Sequence, residues 1–126
     1  MTILIGKHID QAEFDSGMKI RTLPVLLGNR AARTFNIILL VLIYAVIAAL
    51  IWLRHLTPFA AIVAILLPRG IRTIRVMNRP RPSTPPTGYV GWPLWYHRAC
   101  LQHNRLFGWI YISGLAAGAI WTAARG

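Results

Sequence analysis

Negative charge is nearly missing from this chain. Its 126 residues hold three carboxylates, Asp10, Glu13 and Asp15, against fourteen Lys and Arg, for a net charge of +11. Charged residues of both signs make up only 13%, about half the share found in ordinary soluble domains. That shortage argues against a soluble domain with a solvated shell. A single cysteine, Cys100, excludes an intrachain disulfide. His97 and His103 are six apart rather than the four that would place two ligands on one helical face, which argues against a histidine metal site. The opening MTILIGK has too short an apolar run for a secretory signal, and its pattern is that of the tail of a helix that begins upstream.

What the chain has instead is apolar length. Hydrophobic residues make up 56%, and the charges are excluded from two long stretches. Thr34 to Leu53, TFNIILLVLIYAVIAALIWL, carries no formal charge over 20 residues, the length of a helix that crosses a hydrocarbon core. Leu106 to Ala124 is a second uncharged stretch, with Trp109 and Trp121 near its ends, where interfacial aromatics are enriched. Within it, Gly114 and Gly118 form a GxxxG pair that allows close helix contact. Between the two lies Leu56 to Asn78, which opens with Thr57 as a candidate N-cap and Pro58 at the first helical position. It predicts a third helix of near-spanning length, kinked at Pro68 and ending in Arg69, Arg72 and Arg75. The fold class expected is an all-α membrane protein with three transmembrane helices.

Charge then assigns the sides. The connection at Arg54-His55 is short enough to make the first two helices an antiparallel hairpin. Residues 1–33 and 69–105 then share one side, with twelve of the fourteen basic residues, all but Arg54 and Arg125. Concentrated positive charge marks the cytoplasmic side, so the expected location is a multi-pass protein of the cell (inner) membrane with the acidic segment facing the cytoplasm. The same segregation argues against a nucleic-acid partner, whose binding module would set its bases on a soluble core. Residues 79–91, with Pro80, Pro82, Pro85 and Pro86, predict an extended surface loop. Residues 92–105 predict an interfacial helix that begins at Pro93 and leads into the last span.

The acidic cluster is the feature that asks for chemistry. All three carboxylates fall within HIDQAEFDSG, just ahead of the first span, where they repel one another. A divalent cation removes that repulsion, and Mg²⁺ characteristically takes one or two protein carboxylates together with substrate phosphates. Asp10, Glu13 and Asp15 are therefore candidate Mg²⁺ ligands, with Lys7, Lys19 and Arg21 as candidate partners for diphosphate oxygens. Asp10 and Glu13 share a helical face, while Asp15 is rotated away. An acidic loop neutralised by its neighbouring bases accounts for the same residues equally well.

The segment DSGMKIRTLPVLLGNRAAR resembles the second aspartate-rich region of the UbiA family of intramembrane prenyltransferases. The matching features are Asp15, Arg21, Thr22, Leu23, the apolar run Pro24 to Leu27, and Gly28. The later stretch PLWYHRACLQHNRLFG is similar to the one before that family's last helix. The resemblance implies a helical bundle of about nine spans, of which this chain covers the last three and one of two aspartate-rich motifs. It also implies Mg²⁺, an isoprenoid diphosphate donor, an acceptor such as an aromatic ring, and missing N-terminal helices or a complementing subunit as partners. In the family's spacing Asp15 takes the later aspartate position and Gln11, rather than Asp10, the earlier one. Trp52, Phe59 and Trp109 are candidates to line the apolar cavity of such a bundle, although lipid contact or ordinary bundle packing accounts for each more readily. The alternative is a small three-helix basic membrane protein that binds anionic lipid or a partner subunit.

Overall fold

The computed structural model describes residues 1–125, and among these every regular element is helical. Two short helices, α1 (Thr2–Asp10) and α2 (Ala12–Gly17), break at Gln11 and are followed by the single turn α3 (Leu23–Leu27). The long helix α4 spans Asn29–Trp52. A 3₁₀ helix, Pro58–Leu66, leads directly into α5 (Leu67–Asn78). The second long helix, α6, spans Trp95–Ala123. Two helices, α4 and α6, are long and apolar enough to cross a membrane.

The expected kinked helix over 56–78 is a different object. Pro68 has no N–H to continue an i→i+4 ladder, and its ring crowds the carbonyl four residues back, that of Ala64. The Leu67 N–H accordingly bonds Ala64 O in the tighter 3₁₀ pattern. Pro68 then sits in the first turn of α5, where a missing donor costs nothing. The interfacial helix over 92–105 and the span over 106–124 are likewise one helix, because no breaker lies between them. It starts at Trp95 rather than Pro93.

Packing follows from these breaks. α1 packs against both α4 and α6 near their N-terminal ends, and the 3₁₀ segment packs against both further along. Ile5, Ile9, Ala32, Met77, Tyr96 and Cys100 make the first core. Ile47, Ala60, Val63, Leu66 and Phe107 make the second. The GxxxG pair is used for close approach: a Cβ on Gly114 would lie 2.7 Å from the Phe59 carbonyl oxygen, and one on Gly118 would meet the Thr57 side chain. The outer faces of the long helices stay apolar and uncovered, including Leu42, Val46 and Ile112. Trp52, Phe59 and Trp109 are on the outside at 87%, 40% and 70% exposure, as contact with lipid or further helices requires.

Candidate functional site

The acidic cluster lies at the end of the fold where α4 and α6 begin. The break at Gln11 explains part of its composition. Lys7 and His8 occupy the last turn of α1, and Glu13 and Asp15 the first turn of α2, so each charge opposes the helix dipole it meets.

Asp10 has a defined partner that is distant in sequence. Its carboxylate accepts the backbone N–H of Tyr96 at 3.1 Å and that of His97 at 2.8 Å. The first N–H groups of a helix have no partner within it, and Leu94, the residue before α6, supplies no side-chain cap. Asp10 on α1 therefore caps α6 from outside. Its main-chain oxygen in turn accepts Arg81 Nη1 at 3.1 Å. Burial pushes the Asp10 carboxyl above its ordinary pKa, opposed by the N–H groups of His97 and Tyr96 and by the positive charge of Arg81.

Asp15 is also buried, in a separate arrangement. Thr22 Oγ1 donates to its Oδ2 at 3.2 Å, and His8 Nδ1 lies 3.4 Å from the same oxygen. Asp15 and Thr22 are thereby joined across the loop that holds Lys19, a residue with left-handed backbone (φ 58°). Glu13 is exposed. With Asp10 it lines a cavity of about 310 Å³ that also includes Asn29, Arg33, Arg81 and Ser83. Arg33 is fixed at its rim, donating to Met77 O at 3.2 Å and Arg79 O at 2.8 Å.

The three carboxylates expected together are thus divided among three tasks. Among the described residues no three His, Cys, Asp or Glu side chains converge as a metal-binding group. The arrangement does not suit an ion shared by Asp10, Glu13 and Asp15. Lys7, Lys19 and Arg21 are exposed and do not line the cavity. Its bases are Arg33 and Arg81, which the sequence pattern did not single out. No known protein family, characterised protein or solved structure matches this chain. The site must therefore be read from its own geometry. What that geometry offers is a polar recess with guanidinium groups and one free carboxylate, set at the mouth of two membrane-length helices.

Proposed function

We propose that this chain is the C-terminal part of an intramembrane prenyltransferase of UbiA type, which moves a polyprenyl group from an isoprenoid diphosphate to an acceptor such as an aromatic ring. The observation that supports the reading is the Asp15–Thr22 hydrogen bond at 3.2 Å. It ties two residues of the resembled motif into one local unit at the polar end of α4. In this reading Arg33 and Arg81 receive diphosphate oxygens in the recess, with Lys7, Lys19 and Arg21 adding positive potential outside it. Cleavage of the carbon–oxygen bond leaves charge on diphosphate, and fixed guanidinium groups stabilise that charge as it develops. Mg²⁺, when bound through Glu13, supplies further neutralisation of the leaving diphosphate. Asp15 positions the loop through Thr22 and His8 rather than sharing the ion with Glu13.

The uncovered outer faces of α4 and α6 suit both lipid and the additional helices that an enclosed donor cavity requires. The chain on its own is therefore expected to show no prenyl transfer. Membranes in which it is supplied with complementing helices are expected to form product from a prenyl diphosphate and Mg²⁺, and robust turnover by the purified chain alone contradicts this.

The membrane arrangement we propose has three passes, the middle one made of the 3₁₀ segment and α5 in series. The apolar part of this pass is the 3₁₀ segment and the start of α5, and Arg69, Arg72 and Arg75 emerge at the cytoplasmic surface. The acidic cluster and residues 79–91 then face the cytoplasm. A cysteine placed at Thr84 in intact cells is expected to resist a membrane-impermeant maleimide, while one at His55 reacts. Equal labelling of both overturns this topology.

A further inference from the structure

A second cavity, of about 210 Å³ and with a largely apolar wall, lies between α5 and α6 and shares no lining residue with the first. Each helix presents to it residues spaced i, i+3, i+4 and i+7. On α5 these include Arg69, Arg72 and Thr73, and on α6 Trp95, Arg98 and Gln102, with Tyr89 of the connecting loop at one edge. Three arginines thus line one small space. None of the chain's three carboxylates lines it, and the one ion pair among the described residues is His8–Asp15, elsewhere. Arg98 is held in place, its guanidinium 4.6 Å above the Tyr89 ring and its Nη1 donating to Val90 O. The indole N–H of Trp95 is buried without an acceptor in the protein.

Gly70 is buried against Tyr44 and His103, whereas Arg69 and Arg72 are exposed and available to an anion at the membrane surface. Leu67 and Ile71, on the same helix, are exposed apolar residues at 45% and 48% and offer a surface for acyl chains.

We infer that this groove binds the phosphate of an anionic phospholipid headgroup, with Arg69, Arg72 and Arg98 as the recognising groups. The inference rests on α4 and α6 lying in a bilayer and not on the transferase reading. The charge is complementary and local, since each Arg near a membrane surface contributes on the order of 1 kcal/mol to anionic-lipid binding.

The test is native mass spectrometry of the full chain released from nanodiscs of equal parts phosphatidylglycerol and phosphatidylcholine. We expect retained phosphatidylglycerol to exceed phosphatidylcholine by about tenfold, and Arg69→Gln with Arg72→Gln to remove the preference. Arg75→Gln with Arg105→Gln, which removes the same charge outside the groove, should keep it. Arg69→Lys with Arg72→Lys should keep most of it. If the Gln pair fails to fold by circular dichroism, the single Arg72→Gln, on the exposed face of α5, is expected to weaken the preference and decides the matter. No preference in the wild type, or equal loss in the two Gln pairs, overturns the site. Displacement of the lipid by millimolar inorganic phosphate, or by an isoprenoid diphosphate at lower concentration than phosphatidylglycerol requires, overturns its assignment to phospholipid.

Discussion

Replacing Asp10 by alanine is expected to lower the stability of the folded chain by about 2–4 kcal/mol, the cost of leaving two backbone donors at a helix N-terminus without their acceptor. The Tyr96 and His97 N–H groups lie against α1, with Gly6 packed so closely that a Cβ there would stand 3.2 Å from their backbone. Little water can replace the carboxylate. Asp10→Asn keeps one acceptor oxygen and should lose less. The pH dependence has a definite sign. Because burial raises the Asp10 pKa, the folded chain holds a proton at pH values where the unfolded chain has lost it. The contribution of Asp10 to stability therefore falls as pH rises from its ordinary value through the raised one. The difference between wild type and Asp10→Ala should widen as pH is lowered through that window and stay constant above it. Thermal unfolding in detergent at several pH values checks both statements, and a stable Asp10→Ala with α6 intact contradicts the capping role.

Gly114→Val should be strongly destabilising, at about 2–3 kcal/mol from overpacking. The added Cβ falls 2.7 Å from the Phe59 carbonyl and 2.9 Å from Ile62 Cγ2, so backbone as well as side chain must move. At Gly118 an added Cβ would overlap Thr57 Oγ1 and stand 3.0 Å from Thr57 Cβ; rotation moves the hydroxyl but not the Cβ, so Gly118→Ala should also destabilise. Gly108 provides the control. Nothing lies within 4 Å of a Cβ built there, so Gly108→Ala should be neutral or slightly stabilising through helix propensity. Equal effects at Gly108 and Gly114, measured by denaturant unfolding, would show that the 3₁₀ segment is not held by this contact.

The long helices were legible because exclusion of charge over twenty residues has few other causes. The middle element was legible only as a position. Pro68 was visible, but the choice between a kinked α-helix and a 3₁₀-to-α change depends on how Ala60, Val63 and Leu66 pack between α4 and α6, which no local pattern carries. The cluster of Asp10, Glu13 and Asp15 was visible as a cluster, but its division was not. Asp10 finds its partners 86 and 87 positions away, and a capping contact between elements leaves no periodic trace. Arg69 and Arg72 were noticed for their three-residue spacing, whereas the facing stripe on α6 became meaningful only once the two helices were placed side by side.

The central claim is that the acidic end of this fold handles an isoprenoid diphosphate. The most direct measurement is Mg²⁺-dependent formation of prenylated product in membranes that combine this chain with complementing helices, comparing wild type with Asp15→Asn and Glu13→Gln at matched expression. Both variants are expected to insert normally; Glu13→Gln, which removes the proposed ion's protein carboxylate, should lose about 100-fold in rate, and Asp15→Asn, which acts through the loop, about 10-fold. Glu13→Gln should also shift the Mg²⁺ dependence to higher concentration, while Asp15→Asn should lower the rate without that shift. Unchanged rate and unchanged metal dependence in both would mean that the cluster only caps and neutralises its helices, and the transferase reading would fall.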